Sequence, residues 1–391
     1  MKRAITTQDA TALRRDLIRW YLKNRRDLPW RRTSDPYGIW LSEVMLQQTR
    51  VEAVLGYWAR FLDALPTVQA LAEASEDQVV TLWSGLGYYR RARSLHAAAK
   101  TIVADYGGEL PRDPKRLAAL PGFGPYTTGA VRSIAFGECA PLVDGNVARV
   151  FSRLFALELE PGAGDSNRRL WAVAGSLVPK ALSKAGRAKD TRSAQNRDPE
   201  GRMSSDSGPG TWNQALMELG ATVCAPTRVT KRSTSGPRCE MCPVAKHCLA
   251  LAAGRTHELP VVKKAPPPID VALEILVFET ESGLLMRKRP DGGRLANMWE
   301  FPTREIGASY LWPEAFEPAL GNGTLAGFWA ESTPLKNHRH AITCHRIRAS
   351  VRHFRATVAA EPSGTNYDFV PRERVESLPL TGLCAKINAD L

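Results

Sequence analysis

The stretch LPGFGPYT, Leu120 to Thr127, decides how this chain is read. Gly122 and Gly124 stand one residue apart between segments of helical pattern, which predicts a tight hairpin joining two helices. Such a turn leaves backbone N–H groups exposed at a helix start, where the dipole favours negative charge. The missing side chains also let another backbone approach closely. Two glycines alone fit any ordinary helix connection. The flanking Leu-Pro and Tyr-Thr favour a helix-hairpin-helix that grips a phosphate.

Downstream lies VDGNVARV, Val143 to Val150, where Asp144 or Asn146 is placed to cap a helix whose apolar face is Val147, Val150, Phe151 and Leu154. A carboxylate beside a phosphate-binding turn repels a polyanion, so Asp144 also makes sense where positive charge develops during a reaction. Upstream lies WLSEVMLQQTRV, Trp40 to Val51, with Glu43 and Gln47 four apart on one helix face among Leu41, Val44 and Met45. Glu43 is either a solvated surface residue or, if desolvated, a general acid near neutral pH. One protonated and one ionised carboxyl flanking a bond are what cleavage of a glycosidic bond requires: one protonates the leaving group, the other stabilises an oxocarbenium-like sugar.

Cys239-x2-Cys242-x5-Cys248, with Cys224 upstream, makes a four-thiolate set that fits zinc or an iron–sulfur cluster. Cys139, Cys344 and Cys384 are scattered and need no metal.

The 391 residues allow two or three compact domains. Lys and Arg outnumber Asp and Glu by 53 to 40, a net charge of +13 that favours a polyanionic partner. No run of about 18 apolar residues exists, so no membrane span is expected. Met1 to Asp9 lacks the apolar segment of a secretory signal, so the expected compartment is the cytoplasm, with reduced cysteines.

Residues 10–182 read as helical; from Val51 the positions Val54, Leu55, Trp58, Leu62 and Leu65 keep to one helix face. Residues 183–210 carry almost no large apolar side chain and read as a disordered insertion. A proline-rich linker follows within 256–268, and then strand-like Val271 to Phe278, a turn, and a second strand from Leu284. The expected domains are 1–255, mainly α, and 269–391, α+β.

These sites in this order resemble the endonuclease III superfamily, and within it the A/G-specific adenine glycosylases of the MutY family. The likeness is most specific in WLSEVMLQQT, GLGYYRRAR (Gly85 to Arg93), LPGFGPYT, VDGNVARV and WNQALMELGA (Trp212 to Ala221). It implies a helix-hairpin-helix glycosylase domain with an iron–sulfur cluster loop, followed by a Nudix-like domain. Its implied partner is double-stranded DNA carrying A opposite 8-oxoguanine or G, bound by a monomer that has no membrane contact. Glu43 would protonate adenine and Asp144 would stabilise the sugar cation, supported by Tyr126 and Asn146. Gln48 and Tyr88 would wedge into the duplex, with Thr49, Gly122 and Gly124 also at the DNA. Trp30, Arg31 and Gln214 would contact the flipped base.

Relatives that also cut the backbone carry a Lys where Tyr126 stands here. A phenol forms no Schiff base, so a monofunctional enzyme is expected. In the family the cysteines hold a [4Fe–4S] cluster with spacing C-x6-C-x2-C-x5-C. Here fourteen residues, 225–238, separate Cys224 from Cys239, with four basic side chains and no acidic one. Cys224 is expected to remain a ligand, with the insertion bulged toward DNA.

MRKRP and LANMWEFP, within Met286 to Pro302, resemble the Nudix-like lesion-reading domain, but no glutamate-rich R-E-x-x-E-E segment follows. That omission argues against a pyrophosphohydrolase. Relatives carry His-x-Phe-Ser-His in the loop that contacts the oxidised base; aligned through His340, this chain has Ile342, Thr343 and Cys344, then His345. Thr343 and His345 are the candidate readers. The competing enzyme reading is a thymine or oxidised-pyrimidine glycosylase of the same superfamily. A non-catalytic DNA-binding module is the reading from another class, and it gives no reason for the carboxylates Glu43 and Asp144.

Overall fold

A computed structural model describes residues 7–158, 164–180, 208–229, 234–261, 266–291, 295–306, 333–355 and 367–391. They fall into two compact units, Met1–Ala72 with Ala97–Lys264, and Glu73–His96 with Ala265–Leu391. The boundary expected from sequence keeps Glu73–His96 in the first domain. In the structure it groups with the C-terminal residues, because Asp77 pairs with Lys288 at 3.4 Å and Thr81 donates to the Ser377 carbonyl at 3.2 Å.

The first unit is helical: α1 Thr7–Asn24, α2 Pro36–Met45, α3 Val51–Ala64 and α4 Val68–Glu73, then, after α5 Glu76–Leu82 of the second unit, α6 Arg90–Tyr106, whose residues from Ala97 belong to the first unit, α7 Pro114–Ala119, α8 Pro125–Ala130, α9 Gly145–Leu154, α10 Gly164–Leu177 and α11 Pro209–Thr222. Helix starts follow local chemistry. Asp35 precedes Pro36 and accepts from the Tyr37 and Gly38 amides; Asp113 precedes Pro114 and accepts from Lys115 and Arg116. Each pairs an acceptor for orphan amides with a proline whose fixed φ suits the first helical position.

Helix α1 buries Ala10, Leu13, Leu17 and Tyr21, one stripe at helical spacing, against a core shared by Val147, Val150, Phe151 and Trp212. Each large apolar side chain so buried contributes roughly 1.5–3 kcal/mol. In α2 every residue from Tyr37 to Met45 is buried, so this helix is surrounded on all sides. On α3 the expected stripe is corrected in one place: Leu55 is 38% exposed, and Phe61, seven residues after Val54, takes the inward position.

The second unit is built on a mixed sheet of β3 Ile269–Thr280, β4 Gly283–Lys288, β5 Trp299–Glu300, β6 Thr303–Glu305, β7 Thr333–Ile342, β8 His345–Arg355 and β9 Tyr367–Val370; β1 Arg228–Val229 and β2 Thr234–Ser235 form a separate ribbon in the first unit. The order is β5-β4-β3-β8-β7, with β6 added to β3 and β9 to β4. The hairpin expected after Val271 is present as β3 and β4, paired from Glu279–Leu284. β3 and β8 run parallel from Ile269–His345 to Glu279–Arg355. The helix Gly382–Asn388 covers one face through Leu383 and Ile387.

Residues 183–207 of the expected insertion 183–210 lie outside the described residues, as do 230–233 of the insertion 225–238, whereas Pro209 and Gly210 are not insertion but the first, buried residues of α11. No helix among the described residues is long and apolar enough to cross a membrane.

Candidate active site

Helices α7 and α8 form the hairpin read from LPGFGPYT. Gly122 turns the chain at φ +77, a conformation open to glycine. Gly124 begins α8 at φ −76, so its value is space: a β-carbon there would meet nothing within 4 Å. Both glycines are exposed.

Past this turn, Tyr126 reaches back to α2 and donates its hydroxyl proton to Glu43 Oε2 at 2.5 Å. Glu43 is 5% exposed, which answers the open reading: it is desolvated rather than a surface residue. Burial raises its pKa to about 7; the Tyr126 bond lowers it, the Asp144 charge raises it further and the Arg31 charge lowers it. The buried carboxyl is therefore partly protonated at neutral pH. Burial likewise drives the Tyr126 phenol well above its usual range, so that hydroxyl keeps its proton.

Asp144 caps α9, as the first of its sequence readings expected, and lies close enough to Glu43 for its charge to act on that carboxyl. Oδ1 accepts from the Val147 amide at 2.7 Å and Oδ2 from Asn146 Nδ2 at 2.9 Å. Burial raises its pKa, opposed by those two bonds and by the charge of Arg149. Asn146 is in turn fixed by Arg149, whose Nη2 donates to Asn146 Oδ1 at 2.8 Å and to the Gly220 carbonyl at 2.7 Å. Gly220 has to be glycine here, because a β-carbon would stand 2.6 Å from that of Asn146.

Trp30 is buried and meets Trp58 edge to face, ring centres 6.0 Å apart. Arg31 donates to Glu218 Oε2 at 2.8 Å and lies over the Tyr21 ring at 5.4 Å. Gln214 accepts from the Tyr21 hydroxyl at 3.1 Å. Sequence reasoning missed Glu218. It is wholly buried, takes a second ion pair from Arg26 at 2.8 Å, and is held down to about pKa 2 by these guanidinia against the opposing effect of burial. A signal was available: Glu218 lies four residues after Gln214, on the same face of α11.

Gln48 and Tyr88 are both exposed, with φ +58 and +50. Non-glycine residues hold this conformation at a cost of about 1–3 kcal/mol, and such strain gathers at functional positions. Thr49 is half-buried and donates back to the Gln47 carbonyl at 3.4 Å.

Cys224, Cys239, Cys242 and Cys248 line one cavity with Val150, Arg153 and Val244. Cys224 is thus gathered with the other three despite the fourteen intervening residues. Arg153, itself buried, donates to Cys224 Sγ at 3.3 Å and to the Ala225 carbonyl at 2.8 Å. Burial pushes the Cys242 thiol up to about 12, so a thiolate there requires a cationic centre. Four thiols gathered on one cavity are a donor set that a metal ion or an iron–sulfur cluster can use.

Within the C-terminal unit, Thr343 is exposed at the two-residue turn between β7 and β8, at φ +53. His345 does not join it. As the first residue of β8 it points inward and is 2% exposed, because side chains along a strand alternate between faces. Of the two candidate readers, only Thr343 stands at the surface.

Residues 41–175 match the HhH-GPD superfamily of base excision DNA repair proteins. The chain is 36% identical over 349 residues to the human adenine DNA glycosylase, covering 75% of this chain and 58% of that protein. It is 37% identical over 331 residues to the enzyme of that name from Arabidopsis thaliana, covering 74% of this chain and 47% of the relative. With the adenine DNA glycosylase of Schizosaccharomyces pombe it shares 33% identity over 369 residues, covering 79% of this chain and 72% of the relative. The match thus spans about half to three-fifths of the human and plant proteins. On this identity and coverage, carried by a helix-hairpin-helix that delivers Tyr126 to a buried Glu43, the chain belongs to the adenine DNA glycosylase family.

Proposed function

We propose that this chain is a monofunctional glycosylase that flips adenine out of duplex DNA, opposite 8-oxoguanine or guanine, and hydrolyses its glycosidic bond. The observation that carries the reading is the bond between Tyr126 and the buried Glu43, whose pKa lies near 7. A carboxyl so poised donates a proton at neutral pH and takes it back afterwards. Glu43 protonates a ring nitrogen of the flipped adenine, which turns a poor leaving group into a neutral one. Asp144, oriented by Val147 and Asn146, stabilises the positive charge that develops on the sugar. Tyr126 stands where a lyase needs an amine, so strand cleavage through a Schiff base is not expected.

Arg31 and Gln214, fixed by Glu218 and Tyr21, hold the base together with Trp30, which is itself braced by Trp58. Gln48 and Tyr88 enter the duplex, Thr49 and the Gly122–Gly124 turn meet its backbone, and Thr343 reads the lesion. Cys224, Cys239, Cys242 and Cys248 would hold a [4Fe–4S] cluster, whose irons would supply the positive charge that four half-buried thiolates need. The protein acts as a monomer in the cytoplasm.

The test is single-turnover adenine release from duplexes with A opposite 8-oxoguanine, G or T, each with an alkali-free control for nicking. Release opposite 8-oxoguanine, with breaks only after alkali, is the expected result. Breaks without alkali would refute the monofunctional assignment, and thymine release in place of adenine would move the chain to a pyrimidine-directed enzyme.

A further inference from the structure

Strand alternation on β8 sends Ile347, Ala349 and Val351 inward and Arg346, Arg348 and Arg352 outward. On the outer face two of these arginines are neutralised. Arg346 meets Asp270 at 2.9 and 2.7 Å, and Arg352 meets Glu274 at 3.0 Å. Arg348, between them, has Ala272 as its partner on β3 and Arg339 directly opposite on β7. Opposed residues of an antiparallel pair bring their β-carbons to about 5 Å, and like charges there are destabilising. Both side chains are exposed, and among the described residues neither forms a direct ion pair: Asp270 feels the charge of Arg348 but is bonded to Arg346. Solvation accounts for one arginine on such a face; it does not account for two set against each other where the flanking positions were given carboxylates.

The pair lies three register steps from Ile342–His345, the last pairing before the turn that carries Thr343. At a rise near 3.4 Å per residue that is about 10 Å along the hairpin. The grooves of B-DNA are about 7.5–8.5 Å deep. A turn that reaches the base edges therefore leaves Arg339 and Arg348 level with the phosphates. A phosphate oxygen between two guanidinia replaces their repulsion with charge-assisted hydrogen bonds to each.

We propose that the exposed face of β7 and β8 binds the DNA backbone, with Arg339 and Arg348 sharing or bracketing a phosphate beside the lesion-reading turn. This rests on the glycosylase reading above. An acidic polypeptide also meets the charge, but the match between hairpin length and groove depth belongs to duplex DNA.

The experiment uses the full chain carrying Glu43→Gln, so that the duplex stays intact, and measures affinity for an A:8-oxoguanine duplex across a range of KCl. Removing one phosphate interaction should reduce the slope of log K against log[KCl] by about 0.9. Arg339→Glu and Arg348→Ala should each show that reduction, equally on A:G duplexes, because phosphate-binding side chains read no base information. Arg339→Glu should also keep or raise Tm, since the new carboxylate pairs with Arg348; weaker binding is then not a folding defect. Arg348→Lys should retain the slope, as an ammonium still displaces a counterion. An unchanged slope in both Arg339→Glu and Arg348→Ala overturns the proposal, and a raised Tm with that unchanged slope would assign the face to a partner other than DNA. Adenine release by the otherwise unsubstituted chain separates the two levels. Its absence refutes the glycosylase reading and this proposal with it, whereas release with an unchanged slope refutes this proposal alone.

Discussion

Glu43 and Glu218 are both buried glutamates of the helical unit, and they end in opposite charge states. Glu43 stands among the apolar residues of α2 with a neutral phenol as its hydrogen-bonding partner, and its pKa rises to about 7. Glu218 is less exposed still, yet Arg26 and Arg31 bring it down to about 2. Burial penalises both ions alike; the charge of the partner decides which carboxyl keeps its proton. In the proposed reaction the first is the proton donor, while the second anchors Arg31 through their ion pair. A single fold thereby obtains two functions from one residue type.

Glu43→Gln removes the proton donor while keeping its shape, and the single-turnover rate should fall by about 10²- to 10⁴-fold. Lesion binding should be largely retained. Equal loss of binding and rate would make Glu43 structural, and the contrast with Glu218 would lose its functional meaning.

Glu218→Gln attacks the other side. It leaves two guanidinia without their anion, which should lower stability by about 3–5 kcal/mol, read as a drop in denaturant midpoint. A near-neutral result would mean that Arg26 and Arg31 do not depend on the ion pair.

The linkage of Glu43 to folding has the opposite sign from that of Glu218. Its pKa is raised from 4.5 to about 7, so the neutral form is favoured in the fold. Its contribution is fully present below pH 4.5 and lost as pH rises through 7. Compared with Glu43→Gln, the unsubstituted protein should lose roughly 3 kcal/mol of stability across that window. Glu218 contributes above its unfolded pKa and loses that contribution as pH falls toward 2. Denaturation curves of both variants against pH separate the two signs, and parallel curves for Glu43→Gln and the parent would show that Glu43 titrates normally.

The smallest effect is expected from Tyr126→Phe. The Tyr126 hydroxyl lowers the Glu43 pKa, so its removal should move the descending limb of the pH–rate profile upward, with only a modest change in maximal rate. A downward movement would mean that the phenol stabilises the protonated form instead.

Much of this site is legible in the sequence. The Gly122 turn, the Asp144 cap and the cysteine spacing are local chemistry, set by residues a few positions apart. His345 and Leu55 show where such reading fails. Motif alignment points to His345, but its strand position turns it inward; Leu55 fits the apolar stripe of α3, but Phe61 fills the space that the core offers. Glu218 escapes such reading because its meaning comes from Arg26, 192 residues away. Within the C-terminal sheet the arginines of β8 are plain in the sequence, while the opposition of Arg348 to Arg339 exists only once β7 and β8 are in register.

The sequence by itself determined which elements form, where their caps lie and which side chains are available as acid, anion and thiolate. Those properties depend on neighbours within a turn or two, so they can be read along the chain. Tertiary structure decided the charge each carboxyl carries, the joining of Cys224 to its three distant partners, and the facing of two arginines across a strand pair. Each depends on desolvation or on a partner far off in sequence. Coulombic and hydration free energies follow distance and burial in space, and the chain order records neither.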